Sequence, residues 1–250
     1  TTTFNVSNSG PTITFGTNGN STYAKSQSTT IIVSAGAAPI KANSVKYAWG
    51  TSSVGTTPTT GFTSGESVAK SGETGDYYVT ATACDTAGNC TTVTSNAFKL
   101  DNLAPTITFG TNGNNTYLKS QSTTITASDN KSGVKDNDLK YIWSTTTNAT
   151  PNVSFVNGDE VTKDTDSGNY YIVAKACDNA GNCATVPSSV FKLDNEAPTI
   201  TLNPNGNTTY AQSQSSIITV SDTKSGGNAE TYKYIWSTSN SGDANIGFAN

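Results

Sequence analysis

The chain has 250 residues, 13% of them charged and 33% apolar, with 18 acidic residues against 14 basic ones for a net charge of −4. Every basic residue is a lysine, which argues against nucleic acid as a partner, because phosphate recognition leans on basic patches and on the forked guanidinium. No run approaches the ~20 apolar residues of a membrane-spanning helix, no basic-then-apolar leader opens the chain, and Thr, Ser, Asn and Gly supply the composition of β-branched strands and polar turns.

Taken from the start, "TTTFNVSNSGPTIT" aligns with "SNAFKLDNLAPTIT" and "SSVFKLDNEAPTIT" further on, so residues 1–10 are expected to be the last strand of a preceding repeat. "PTITFGTNGNSTYAKSQSTT" from Pro11 then returns from Pro105 and, with changes, from Pro198, a period of 94 and then 93 residues. The expected units are repeat 1 at 11–104, repeat 2 at 105–197 and an incomplete repeat 3 at 198–250, whose sequence stops before its tyrosines and cysteines.

Inside a repeat the apolar period is two. In repeat 2 the inward sets are Ile107 with Phe109, Ile125 with Ala127, then Leu139, Tyr141 and Trp143, then Tyr170, Ile172, Ala174 and Ala176, and last Phe191 with Leu193. Asn-Gly, Ser-Gly and proline signals separate them. About seven short strands in about ninety residues, with a tryptophan on the third and a Tyr-Tyr pair opening the sixth, predict an all-β array of tandem immunoglobulin-like, seven-stranded β-sandwiches. Trp49, Trp143 and Trp236 are expected to centre the cores, and Tyr77 and Tyr170 to fasten the sixth strands.

The motifs "APTIT", "SDNKSGV" (128–134), "KYIW" (140–143), "GNYYIVAKACDNAGN" (168–182) and "KLDNEAP" (192–198) resemble the bacterial immunoglobulin-like (Big-type) tandem repeats of large surface and secreted proteins. The resemblance covers essentially the whole chain. It implies stalks, spacers and adhesive arrays. Most members of that family carry threonine or alanine where this chain has cysteines.

"ACDTAGNC" (83–90) and "ACDNAGNC" (176–183) each hold two cysteines with five residues between them. A zinc knuckle needs four close ligands, and this chain has no histidine and two cysteines per repeat. A redox dithiol favours Cys-x-x-Cys at a helix start, and neither is present. With Cys84 ending the sixth strand and Cys90 starting the seventh, the pair faces across a hairpin near the roughly 5.5 Å Cα separation that a disulfide prefers. The expected bonds are therefore Cys84–Cys90 and Cys177–Cys183, each stabilising by about 2 kcal/mol through so short a loop. They place the chain in an oxidising, extracellular compartment.

The loops after the second and sixth strands lie at the end of a sandwich where the preceding linker arrives. Asp129, Asp178 and the linker's Asp101 are thus expected to converge at the junction of repeats 1 and 2 as calcium ligands, with backbone carbonyls and Asn102 or Asn179 completing the shell. The plainer reading is that such residues cap turns through the local backbone. Repeat 1 is a control, since its loop "SAGAAPIKAN" and incoming "NVSNSGP" lack carboxylates.

With no histidine, no Ser-His-Asp arrangement can be drawn, and no catalytic residue is assigned. The expected role is a stalk or filament segment of a bacterial surface or appendage protein. Its expected partners are other repeats of the same long chain and neighbouring copies in a filament or surface layer. The rival readings are an adhesin array gripping carbohydrate or protein at its loop ends, and accessory domains of a secreted glycoside hydrolase.

Overall fold

The computed structural model describes residue 6 and residues 8–249, so most of the strand expected within 1–10 lies outside the described residues. Repeat 1 contains β1 (Thr12–Phe15), β2 (Asn20–Ala24), β3 (Ser26–Ser34), β4 (Lys46–Gly50), β5 (Thr60–Gly61), β6 (Glu66–Ser71), β7 (Gly75–Cys84), β8 (Cys90–Thr94) and β9 (Phe98–Leu100). They make a sandwich of two sheets, β1-β3-β6 and β2-β9-β7-β4-β5 with β8 added onto β7.

Repeat 2 has the same plan. Its strands are β10 (Thr106–Phe109), β11 (Asn114–Leu118), β12 (Gln121–Ser128), β13 (Lys140–Ser144), β14 (Val153–Ser154), β15 (Glu160–Lys163), β16 (Gly168–Cys177), β17 (Cys183–Pro187) and β18 (Phe191–Leu193). The sheets are β10-β12-β15 and β11-β18-β16-β13-β14 with β17 on β16. Among the described residues no helix is long and apolar enough to cross a membrane.

The seven expected strands become nine segments because the first and the last each break. The first strand leaves one sheet as β1 and joins the other as β2, turning at Gly19. There φ is +84°, and a Cβ would meet the Ala97 carbonyl at 2.7 Å, so only glycine fits. The last strand breaks at buried Ser95, whose hydroxyl accepts from the Val79 amide at 2.9 Å while its own amide donates to the Val79 carbonyl at 2.8 Å. Ser188 does the same against Ile172.

The new segment β2 lies parallel to β9 with an irregular register. Buried Gln27 fills the gap, its Nε2 donating to the Thr22 carbonyl at 2.9 Å and the Lys99 carbonyl at 3.0 Å. Gln121 repeats this with Thr116 and Lys192 at 3.1 and 2.8 Å.

The alternating residues meet between the sheets. Ile107, Ile125, Ala127, Leu139, Ile172, Ala174, Ala176, Phe191 and Leu193 are buried together, and Phe109, Tyr141, Trp143 and Tyr170 pack against them partly buried. Trp49 and Trp143 stand edge-on to Phe98 and Phe191 at 5.2 and 5.1 Å between ring centres, a favoured aromatic geometry. Tyr77 is buried at the start of β7 beneath Lys70, whose Nζ lies 5.1 Å from its ring, and Tyr170 carries Lys163 at 4.4 Å.

Trp236 departs from the expectation and is 65% exposed. Repeat 3 forms β19 (Thr199–Asn203) paired with β20 (Ile217–Ser221), and β21 (Lys233–Tyr234) paired with β22 (Ile246–Gly247). Among the described residues of 198–249 there is no equivalent of β7 or β9, and so no counterpart there of the Phe98 on which Trp49 packs. An open groove of about 850 Å³ lies beside these strands, lined by Ile200, Val220, Tyr232 and Phe248 of repeat 3 and by Tyr117 and Lys119 of repeat 2.

Candidate functional site

Cys84 is bonded to Cys90 and Cys177 to Cys183, with Cα separations of 4.0 Å. The expected separation of roughly 5.5 Å is too long, because both pairs occupy non-hydrogen-bonded positions of the ladder, one step inside the turn-closing bonds, where opposed Cα atoms come closest. The crown of the second hairpin, Asp178 to Asn182, is closed by Asp178 N–H to the Asn182 carbonyl at 2.9 Å. The Asp178 carboxylate accepts the Asn182 amide at 2.7 Å on Oδ1 and the Asn182 Nδ2 at 2.7 Å on Oδ2. This crown faces the linker from repeat 1.

The linker is held from both sides. Toward repeat 1, the Asp101 amide donates to the Ala24 carbonyl at 3.0 Å, and the Asn102 amide to Thr74 Oγ1 at 2.9 Å. Asn102 Nδ2 donates to the carbonyls of Lys25 and Glu73 at 3.1 and 2.7 Å. Toward repeat 2, Asp101 Oδ2 accepts from the Ser132 amide at 3.0 Å, and the Asp101 carbonyl accepts from Asn182 Nδ2 at 3.0 Å. Asn179 ties the crown to the neighbouring loop, donating from Nδ2 to the carbonyls of Ser132 and Gly133 at 2.9 and 3.2 Å.

Asp101, Asp129 and Asp178 come together here, each with a carboxylate oxygen within 4.8 Å of the others. Asp101 and Asp178 are fully buried. Asp129 Oδ1 accepts from the amides of Lys131 and Gly133 at 3.0 and 2.8 Å, and Asp101 Oδ1 from Leu103 at 3.1 Å, so these carboxylates also cap their local turns. Burial pushes the Asp101 carboxyl up, but Ser132 beside it, the amides of Leu103 and Ser132, and the Lys131 charge pull it further down, below its ordinary value. The Ser132 hydroxyl itself is buried without an aligned hydrogen-bond partner.

The donor set is all oxygen, the chemistry of a hard cation. Carboxylate oxygens this close together can share one such cation, which takes oxygen ligands at about 2.3–2.6 Å. Asn102 and Asn179 turn their amide nitrogens to backbone carbonyls of repeat 1 and of the 132–133 loop, which holds each side chain in place.

Repeat 1 keeps a single member of the trio. Buried Asp85, the equivalent of Asp178, is capped by Asn89 through its amide at 2.8 Å and Nδ2 at 2.9 Å, and its carboxyl is held low chiefly by that side chain. Ala35 stands where repeat 2 has Asp129. The junction of repeats 2 and 3 rebuilds the linker half: Asp194 Oδ2 accepts from the Ser225 amide at 3.0 Å, and Asn195 Nδ2 donates to the carbonyls of Lys119 and Asp166 at 3.0 and 2.8 Å. Asp222 Oδ1 takes the amides of Lys224 and Gly226 at 2.9 and 2.8 Å.

Sequence reasoning missed Asn182, Ser132 and the backward role of Asn102. The signal was present. Asp-Asn in the linker occurs with Lys-Ser-Gly in the following loop, at 101–102 with 131–133 and at 194–195 with 224–226, and both are missing ahead of repeat 1.

No family model matches the sequence, and no curated protein matches it. Among solved structures the chain is similar to the fibronectin(III)-like modules of Clostridium thermocellum CbhA, at 16% identity over 73% of this chain and 93% of that one, with a TM-score of 0.29. It is also similar to the D00-D0 domain of Intimin, at 17% identity over 72% of this chain and 98% of that one, with a TM-score of 0.37.

Proposed function

We propose that this chain is a non-catalytic spacer segment of an extracellular surface or appendage protein, of the bacterial immunoglobulin-like repeat kind that its motifs resemble. The observation that carries the reading is the two-sided grip on Asp101–Asn102, which gives consecutive linker residues partners in both repeats. A short linker bonded on both sides transmits orientation from one sandwich to the next, which is what a rod requires and a loose string of binding modules does not. Two disulfides fit an oxidising exterior. Its partners in this reading are further repeats of the same chain and neighbouring copies in a filament or layer.

Calcium belongs to the same proposal, held by Asp101, Asp129 and Asp178. Three carboxylates this close repel one another by roughly 3 kcal/mol per pair at an effective dielectric of about 20, and a divalent cation reverses that sign. It would lock a joint that the hydrogen bonds already align.

Small-angle X-ray scattering of the 250-residue chain tests the spacer. A sandwich advances the chain by roughly 35–45 Å, so the expected particle is elongated, with a maximum dimension above roughly 80 Å. A compact particle overturns the spacer, and saturable binding of a glycan or peptide at the loop ends moves the reading to an adhesin.

A further inference from the structure

The disulfide at the tip of each sixth-to-seventh-strand hairpin is not what sets the register of the strands it joins. In repeat 2, β16 and β17 are paired from Val173↔Pro187 to Cys177↔Cys183, and the turn beyond is closed by the Asp178–Asn182 backbone bond. Strand register is therefore set without a covalent link. What the ladder leaves unconstrained is the tilt of the five-residue crown above the last pair, and that crown meets the linker.

We infer that the Cys177–Cys183 bond is a fastener for the joint between repeats 1 and 2, holding the crown as a fixed platform on which the linker is seated. The chain of contacts is continuous. The bond pins Asp178 and Asn182 at the crown's two ends. Asp178 takes both the amide and the side chain of Asn182, leaving Nδ2 aimed at the Asp101 carbonyl, which it reaches at 3.0 Å. Midway along the crown, Asn179 grips the Ser132 and Gly133 carbonyls, and the Ser132 amide holds the Asp101 carboxylate. Lys25 of repeat 1 also lies against the crown, its Cε 3.9 Å from where a Cβ on Gly181 would sit. A crown free to rock would lose the Asn182–Asp101 bond first, because that bond crosses between repeats and has no neighbour in a ladder to hold its length.

Hydrogen exchange read residue by residue on the full chain, in chelator so that no metal contributes, tests this apart from the calcium proposal. The reporters are the amides of Ser132 and Leu103, which donate to Asp101, and that of Ile172, which donates to Ser188 inside the repeat 2 core. In the variant combining Cys177→Ser with Cys183→Ser, exchange at Ser132 and Leu103 should quicken by about tenfold or more while Ile172 stays put. Asn182→Ala, with the disulfide intact, should give the same result and decides the matter if the cysteine variant does not fold. Cys84→Ser with Cys90→Ser, at the far end of repeat 1, should leave both reporters unchanged. Unaltered exchange at Ser132 and Leu103, or equal quickening at Ile172, overturns the inference.

Discussion

Asp101 and Asn102 are neighbours in the chain and serve different repeats. The Asp101 carboxylate accepts from Ser132 of repeat 2 at 3.0 Å, while the Asn102 side chain donates to Glu73 of repeat 1 at 2.7 Å. With the two side chains turned to different repeats, two residues suffice to address both bodies. Asn102→Ala should therefore lower the stability of repeat 1 by about 1–2 kcal/mol, through two carbonyls left without their donor. Asp101→Ala should spare the repeat 1 transition and loosen the joint. Separate melting transitions with scattering check both, and equal effects of the two variants on repeat 1 would count against this division.

Trp143→Ala should cost about 3–5 kcal/mol and unfold repeat 2 with repeat 1 left standing, since the indole is packed edge-on to Phe191. Trp236→Ala in the same chain should change stability by no more than about 0.5 kcal/mol, because that side chain is 65% exposed. Denaturant unfolding of the two variants gives the comparison; a small cost at Trp143 would remove it from the core.

Acid should act through Asp85, Asp101 and Asp194, whose carboxyls all sit below their ordinary value when folded. Each binds a proton more readily in the unfolded chain, so its contribution is full above the unfolded value of about 3.9 and is lost as the pH falls through that value and then through the lower folded ones. Thermal midpoints should be flat with respect to these groups near neutrality and should drop below about pH 4. Asp85→Asn should soften the drop in repeat 1, where Asn89 is the main cause of the shift. A midpoint unchanged across that range would rule the linkage out.

Calcium should raise the thermal midpoint of repeat 2 and tighten the joint between repeats 1 and 2, and chelator should undo both. Asp129→Ala should abolish the response while leaving the fold intact, as Asp129 lies in a loop outside the core. Repeat 1, with Ala35 in place of that aspartate, should not respond at its own N-terminal end. Identical scattering and melting with calcium and with chelator would dispose of the ion.

The sandwich cores were legible because burying one face of a strand imposes a period of two, and Ile125, Ala127, Ile172, Ala174, Phe191 and Leu193 keep it without exception. The cysteine pairs were legible because five turn residues between them leave one plausible hairpin. The break in the first strand was not, since it depends on Gly19 meeting Asn96 and Ala97, residues far along the chain. Trp236 misled because its motif matches Trp143 while burial of such a tryptophan depends on strands like β16 and β18, which are not found among the described residues of 198–249. The trio of aspartates was legible as loop carboxylates. The structural bonds of the asparagine amides were not legible, since the carbonyls that receive them, at Lys25, Glu73 and Ser132, lie far away in the chain.

The parallel pairing of β2 with β9 has a mechanical meaning. A repeat is entered at β1–β2 and left through β9, so tension on the chain draws these two strands past each other along their shared axis. The bonds between them, Asn20 N–H to the Ala97 carbonyl and Asp101 N–H to the Ala24 carbonyl, together with the Gln27 bridge, are then strained in shear, all at once. Peeling a hairpin breaks bonds one after another, and pulling on this chain in a single-molecule experiment should show the higher rupture force of the shear case. Each sandwich would then resist stretching as a catch closed across its own two ends, with the strand that received the load bolted to the strand that hands it on.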